Sequence, residues 1–298
     1  MREAVGVVGL GNMGGGMARR LLASGDRVVG FDPVVAAVQA FAAAGGTAAG
    51  SAAEVAAQSS VVLTSLPDPR AVREAFTGEH GILAGARPGL TVIETSTIDP
   101  RTLEEIARAC DACNVTLIDA TLSGQPPQAA SGELTFMVGA PSELLEAWRP
   151  LIARLSKQIH HTGGVGTAKT VKLVNNLMAL GNIAVAAEAF ALGTRCGMDP
   201  SKLYDILSTS GGRSHHFNYD FPRVIDGDFR PGFKTKLALK DINLIIDLAR
   251  DEAYTVMLAP VLRTLYALTV DGGYGDEHFA AVIKIYESWA KGGGDATA

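Results

Sequence analysis

Short apolar runs alternate with helical stretches over the first half of the chain. Each run is β-branched or apolar and ends at glycine, proline or polar residues, which is typical of a buried strand. Strands are predicted at residues 5–8, 28–31, 61–65, 91–94, 115–119 and 134–138, and helices at 13–22, 34–44 and 102–113. The alternation predicts βαβ units, a mostly parallel sheet and right-handed crossovers.

The pattern changes after the glycine-rich residues 163–166. Apolar positions then continue at helical spacing from Lys169 to about Thr194 without a proline, which predicts a helix of about 26 residues and roughly 39 Å. Further helices are predicted at 201–209, 235–250, 260–266 and 276–290, with no strand. The sequence therefore predicts an α/β domain at 1–162 and an all-helical domain at 163–298.

Composition narrows the class of protein. The chain has 298 residues, 47% hydrophobic and 19% charged, with a formal charge of −5 and three cysteines. These values favour a soluble two-domain protein of the reducing cytoplasm and argue against a disordered chain or a nucleic-acid-binding protein. The apolar residues 177–193 include Asn182 and Glu188, which favours a buried helix over a membrane span.

A glycine motif lies between the first predicted strand and helix. Its residues fit G-x-G-x-x-G, in which the glycines permit a tight turn, close approach to a pyrophosphate and close packing of helix on strand. They are Gly9, Leu10, Gly11, Asn12, Met13 and Gly14. With Asp32 closing the second strand, the motif predicts a doubly wound, Rossmann-type dinucleotide-binding domain.

Asp32 bears on the choice of cofactor. A carboxylate here accepts hydrogen bonds from ribose hydroxyls and repels a 2′-phosphate, and no Arg or Lys follows in Pro33-Val34-Val35. NAD is therefore favoured over NADP. The alternative is that Asp32 only caps the next helix.

Lys172 and Asn176 are four residues apart at the start of the long helix and share one face. A lysine in apolar surroundings close to a second ammonium, here Lys169, loses proton affinity and becomes a candidate acid/base. A solvated lysine pair is the alternative, and spacing alone favours it.

Four segments in order make the chain resemble the β-hydroxyacid dehydrogenase family, which includes 3-hydroxyisobutyrate dehydrogenases and tartronate semialdehyde reductases. The segments are GLGNMGGGMARRL, DATLSGQPPQAASGELTFMVGA, GGVGTAKTVKLVNN and GFKTKLALKDINLIIDLA. The resemblance implies a long interdomain helix, an all-α C-terminal domain similar to that of 6-phosphogluconate dehydrogenase, and a homodimer or homotetramer.

The resemblance also implies roles for individual residues. Lys172 would be the catalytic acid/base, Asn176 would help to hold the substrate, and Ser123 with Gly124 would bind its carboxylate. The remaining positions would line the cofactor: Leu66, Pro67, Thr97 and Lys240.

This chain departs from the family pattern at three positions. Gln125 stands where a second glycine is usual, Ala168 lies near another usual glycine, and Glu94 replaces an aspartate. Gln125 is at the substrate end and affects which substrate fits. Residues 211–229, including His215 and His216, either shape specificity or are solvated surface.

Other reaction classes lack their residues. Cys110 and Cys113 form a single C-x-x-C pair at the end of a helix, so we predict a structural role for them and no metal site. Together with the glycine motif and Asp32, the resemblance implies an NAD-dependent oxidoreductase that interconverts a small carboxylate-bearing 3-hydroxy acid and its semialdehyde or keto acid. The alternatives are an imine reductase-like enzyme and a non-catalytic dinucleotide-binding scaffold or sensor.

Overall fold

A computed structural model describes residues 4–292 of the chain. It divides into two compact units, the first ending at Lys172 and the second beginning at Leu173. We call them unit 1 and unit 2 and describe each by itself. The division falls inside the long helix, ten residues beyond the boundary predicted after residue 162, because the first turns of that helix are bonded into unit 1.

Unit 1 contains one eight-stranded sheet in the order β3-β2-β1-β4-β5-β6-β7-β8. Strands β1 to β6 are mutually parallel, β7 is antiparallel to β6, and β8 runs parallel to β7. The strands are β1 (Ala4–Val8), β2 (Val28–Phe31), β3 (Thr47–Ala48), β4 (Ser59–Thr64), β5 (Thr91–Glu94), β6 (Thr116–Ser123), β7 (Leu134–Gly139) and β8 (Ser156–Gly163). The predicted doubly wound α/β domain is confirmed.

Helices connect the strands of unit 1. They are α1 (Asn12–Ala23), α2 (Val35–Ala43), α3 (Ala52–Ala57), α4 (Pro69–Thr77), α5 (Ile82–Gly85), α6 (Pro100–Ala112), α7 (Pro126–Ser131) and α8 (Ser142–Ile152). Asp68 and Asp99 cap α4 and α6 through their side chains, each followed by a proline in the first turn. The sequence analysis missed α3, α4, α5, α7, α8, β3 and β8, all of which are short, with at most 11 residues each.

Two hydrophobic layers cover the two faces of the sheet. Val61 and Leu63 of β4 pack into one layer, and Val62 between them packs into the other. Alternate residues of a strand point to opposite faces, so a strand covered on both sides is apolar throughout. The central strands were recognisable in the sequence for this reason.

Among its described residues, unit 2 is helical. The helix α9 (Thr167–Arg195) begins in unit 1 and continues into unit 2, followed by α10 (Pro200–Leu207), α11 (His215–Ile225), α12 (Thr235–Asp251), α13 (Leu258–Thr269) and α14 (Ile283–Gly292). The sequence analysis missed α11. The helix predicted from residue 276 begins instead at Ile283, after a 3₁₀ turn at Phe279–Val282 that the His278 side chain caps.

The expectation that residues 177–193 form a buried helix is wrong in part. Ile183 and Ala187 are buried, but Met178, Val185 and Leu192 on the same helix are each more than 60% exposed. By length and composition α9 could cross a membrane, and only 28% of its most apolar window is buried. The hydropathy pattern identified α9 as an apolar helix, but the rest of the described chain buries only one face of it.

Candidate dinucleotide and hydroxyacid site

The glycine motif forms the turn between β1 and α1. Gly9 has a φ of +92°, and a Cβ at Gly14 would lie 1.9 Å from the Gly9 carbonyl oxygen, so neither position accepts a side chain. A Cβ at Gly11 would meet no protein atom within 4 Å. Nothing inside the protein requires glycine at that position, so the open space beside Gly11 fits the close approach of a pyrophosphate.

The N-terminus of α1 is suited to an anion. Its N-cap is Gly11, which makes no side-chain capping bond, so the first N–H groups of the helix are not satisfied by a cap. These groups and the helix dipole favour phosphate at this end. The residues at the turn therefore fit a bound dinucleotide.

Asp32 follows β2 and is held by backbone donors. Its Oδ2 accepts a hydrogen bond from the Leu10 N–H at 2.7 Å, and its Oδ1 accepts one from the Val34 N–H at 2.8 Å. The helix α2 has Val34 as its N-cap, so Asp32 does not cap it. The carboxylate is tied instead to the glycine turn, where a ribose would lie.

The other cofactor residues predicted in unit 1 follow neighbouring parallel strands. Leu66 and Pro67 follow β4, Thr97 follows β5, and the Leu66 N–H donates to Ser96 Oγ at 2.8 Å. Because the carboxyl ends of parallel strands share one edge, these residues lie on the same edge as Gly9 and Asp32. The strand order reverses between β1 and β4, which is where such sheets bind nucleotides.

Ser123 is the last residue of β6 and ends at that same edge. Gly124 follows with a φ of +140°, and Gln125 is the N-cap of α7 with a φ of −106°. The Gln125 N–H donates to Gln128 Oε1 at 2.7 Å. Because the backbone at Gln125 is in an ordinary region, glutamine replaces the family glycine without strain.

A fully buried ion cluster lies at the start of α9, and the sequence analysis missed it. The ammonium of Lys169 is 2.6 Å from Glu94 Oε2 and 3.4 Å from Asp119 Oδ1, with all three side chains 0% exposed. It also donates to the backbone carbonyls of Glu94 at 3.0 Å and Ala120 at 2.7 Å. We call Lys169, Glu94 and Asp119 the lysine cluster.

The lysine cluster corrects one expectation. The alternative of a solvated lysine pair does not hold for Lys169, which is fully buried, and the like charge that Lys172 was expected to feel is paired with two carboxylates. Lys172 itself is half-buried. The signal in the sequence was a carboxylate ending each of two predicted neighbouring strands, Glu94 and Asp119, together with a lysine at the start of an apolar helix.

Asn176 and Lys240 belong to unit 2, where a carboxylate links them. The Asn176 Nδ2 donates to Asp241 Oδ2 at 2.6 Å, and its Oδ1 accepts from Asn175 Nδ2 at 3.2 Å. Lys240 pairs with Asp241 Oδ1 at 2.8 Å. The orientation of the Asn176 amide is therefore fixed by neighbours in unit 2, and Asp241 is a further residue that the sequence analysis did not single out.

The histidines of residues 211–229 lie on α11. His215 is exposed and stacks on Tyr219, whereas His216 Nδ1 lies 3.0 Å from the buried Asp220 carboxylate, so His216 is not simple solvated surface. Asp220 also lies 3.4 Å from His278, whose pKa is lowered from its ordinary value by burial. Asp220 thus links His216 of α11 to His278 inside unit 2.

Cys110 lies in the last turn of α6, and Cys113 is the C-cap of that helix. Cys110 and Cys113 are free thiols, and burial raises the pKa of Cys110 to about 12, which leaves it inert. Within residues 4–292, no three His, Cys, Asp or Glu side chains are grouped as metal ligands.

Comparison with known proteins covers both units. Residues 4–164 match the NAD-binding domain of 6-phosphogluconate dehydrogenase, and residues 166–286 match the NAD-binding family of NADP-dependent 3-hydroxyisobutyrate dehydrogenase. L-threonate dehydrogenase from Cupriavidus necator is 34% identical over 96% of this chain and 97% of that protein. The chain belongs to the β-hydroxyacid dehydrogenase family.

Solved structures agree with the assignment to the β-hydroxyacid dehydrogenase family. A 3-hydroxyisobutyrate dehydrogenase from Salmonella typhimurium has a TM-score of 0.87 and 32% identity over 95% of this chain and 100% of its own. An imine reductase from a Pseudomonas species has a TM-score of 0.61 at 18% identity over 95% of this chain and 99% of its own, a likeness of fold alone. As a family member, the chain is an NAD(P)-binding oxidoreductase.

Alanine substitutions at the second and third glycines of the motif, Gly11 and Gly14, should have opposite effects on cofactor binding and stability. Gly11→Ala should lower the free energy of unfolding by no more than about 1 kcal/mol, the cost of alanine at a helix N-cap. It should weaken binding of NADH at least tenfold, since its Cβ occupies only the space outside the protein. Gly14→Ala should destabilise the fold by about 2–3 kcal/mol, because its Cβ meets a backbone oxygen. Urea unfolding and NADH fluorescence titration measure both, and normal NADH binding by Gly11→Ala would contradict the assignment of this turn.

Proposed function

We propose that this chain is an NAD-dependent dehydrogenase that interconverts a small 3-hydroxy acid and its semialdehyde or keto acid, with Lys172 as general acid/base. The observation that most supports this proposal is the arrangement of the candidate site residues in unit 1. The glycine turn, Asp32 and Ser123 all lie at one sheet edge. Lys172 stands one turn after a helix start that is bonded to the end of β5 and to the middle of β6.

The substrate carboxylate is assigned to Ser123 and the backbone N–H groups that follow it. Ser123 ends β6, and the turn at Gly124 exposes backbone at the edge where the dinucleotide residues lie. Neutral donors of this kind bind a carboxylate without requiring a permanent charge. Gln125, which replaces a glycine there, narrows the space for the rest of the substrate.

Lys172 handles the proton. During oxidation its amine accepts the proton of the substrate hydroxyl, and during reduction its ammonium returns a proton to the carbonyl oxygen. Nicotinamide, when bound, supplies the hydride acceptor or donor. Asn176, whose amide is held by Asp241 and Asn175, is assigned the role of helping to hold the substrate, as the family resemblance implies.

The relatives support the substrate class. Those reported above are named for L-threonate and 3-hydroxyisobutyrate, both small hydroxy acids. The imine reductase-like alternative has only the likeness of fold in its favour. A spectrophotometric screen of 3-hydroxyisobutyrate, L-threonate, glycerate and L-serine, with cyclic imines as a further arm, separates the two.

Lys172→Ala should lower kcat for the best hydroxy acid by about 10²–10⁴-fold, because the reaction loses its acid/base. NADH binding should stay within threefold, and the single-group pH dependence of the wild type should disappear. Steady-state kinetics across pH and NADH titration measure these quantities. The exposed Lys157 provides the matched control, since Lys157→Ala should behave like the wild type.

Near-normal turnover by Lys172→Ala would contradict the assigned role. If the wild type binds NADH but converts no hydroxy acid in the screen, the scaffold or sensor alternative is favoured instead.

The preference for NAD should follow from Asp32. The wild type should have a kcat/KM at least tenfold higher with NAD than with NADP, because the carboxylate repels a 2′-phosphate and no cation follows it. Asp32→Ala should reduce that ratio below threefold, mainly by raising the KM for NAD. A wild type that uses NADP equally well would refute the NAD preference.

The proposal includes a homo-oligomer. Unit 2 exposes one set of large apolar side chains on α9 and another at the start of α13, and exposed apolar sets mark interaction surfaces. Val174, Met178, Val185 and Leu192 form the first, and Met257, Leu258 and Val261 the second. Since α9 is apolar on both sides and only partly buried, a second copy is the partner that fits.

Light scattering tests the oligomer directly. The wild type should have at least twice the monomer mass, and Met178→Glu/Val185→Glu should reduce it to that of a monomer. Val35→Glu, at an equally exposed valine of unit 1, should leave the mass unchanged. A monomeric wild type contradicts this part of the proposal.

A further inference from the structure

The lysine cluster has no task in the proposed reaction, yet it is costly to bury. Two carboxylates and one ammonium are fully removed from water, and such groups rarely stabilise a fold more than apolar side chains of the same volume. Within the described residues Lys169 is the ion-pair partner of both Glu94 Oε2 and Asp119 Oδ1. A contribution to folding stability is therefore a weak explanation for the burial of these three charged side chains.

One side of the cluster leads to the loops assigned to the cofactor. Glu94 Oε1 accepts hydrogen bonds from the Ser96 N–H at 2.9 Å and from Thr64 Oγ1 at 3.3 Å. Ser96 Oγ in turn accepts from the Leu66 N–H at 2.8 Å. The Glu94 carboxylate thus ties the chain after β4 to the chain after β5.

The other side of the cluster leads to α9. Asp119 Oδ2 accepts from the Gly166 N–H at 2.8 Å and from the Ala168 N–H at 3.0 Å. These are backbone groups at the N-terminus of the helix, which otherwise lack partners within it. The Asp119 carboxylate thus fixes the first turn of α9 to β6.

Lys169 joins the two sides, since its ammonium contacts both carboxylates and the carbonyls of two adjacent strands. Lys172 follows three residues later, about 4.5 Å further along the helix axis. Any displacement or rotation of the first turn therefore moves Lys172 as well.

We propose that Lys169 is a positioning residue, whose ammonium bridges Glu94 and Asp119 and thereby sets the place of Lys172 relative to the carboxyl ends of β4, β5 and β6. The inference rests on the proposed role of Lys172 in catalysis. Under this proposal Lys169 fixes the position of Lys172 and takes no part in the proton transfer.

Two variants separate positioning from stability. Lys169→Met keeps the length of the side chain but leaves two buried carboxylates without a cation, so both the urea midpoint and kcat should fall. Lys169→Met/Glu94→Gln removes one of those charges and retains an oxygen for Ser96 and Thr64. Its urea midpoint should recover most of the loss, while its kcat stays lowered because the bridge is still missing.

The measurements are kcat, KM for 3-hydroxyisobutyrate or for the best acid of the screen, NADH affinity and urea unfolding. In both variants kcat should fall about 10- to 100-fold, the effect of misplacing a reacting group by about 1 Å. NADH affinity should change less than threefold. Lys157→Met, at an exposed lysine of the same unit, controls for the loss of a lysine charge.

A crystal structure of the double variant provides a readout that does not depend on activity. The first turn of α9 and Lys172 should be displaced relative to β5 and β6. An unchanged helix start, or a kcat within threefold of the wild type in the double variant, would overturn the proposal and make Lys169 purely structural. Retained turnover in Lys172→Ala, by contrast, is the result that refutes the proposed function.

Discussion

The close fit between the ends of parallel strands and the elements that follow them is the constraint on which the rest of unit 1 depends. At β1, a glycine turn lets α1 approach so closely that a single Cβ at Gly14 would meet the Gly9 carbonyl oxygen. At β5 and β6, the ammonium of Lys169 is bonded at once to the last carbonyl of β5 and to the Ala120 carbonyl within β6. Both contacts hold chain segments next to residues of the predicted site.

This constraint connects fold to chemistry. A parallel sheet gathers its carboxyl ends at one edge, so residues distant in the sequence, such as Asp32, Thr97 and Ser123, come to the same edge without any long loop. A hydride transfer and a proton transfer must both occur within a few tenths of an ångström of their ideal geometry. Rigid strand ends and a bonded helix start suit that requirement better than flexible loops do.

The sequence predicted what local pattern determines. The glycine motif, the buried strands and the apolar pattern of α9 are each determined by residues that are close together in the sequence. Contacts between distant residues were out of reach: Lys169 and Glu94 are 75 residues apart, and Asn176 and Asp241 are 65 apart. Hydropathy likewise revealed that α9 is apolar but not which of its faces the chain itself covers, since burial depends on tertiary packing. The carboxylates that end two predicted strands, Glu94 and Asp119, were the available signal for the lysine cluster.

A crystal structure of the ternary complex with the dinucleotide and a bound hydroxy acid tests the central claim most directly. The account predicts that the Lys172 ammonium lies within hydrogen-bond distance, about 2.6–3.2 Å, of the substrate oxygen that changes oxidation state. A Lys172 side chain directed away from that oxygen, with another proton-transferring group in its place, would contradict the account.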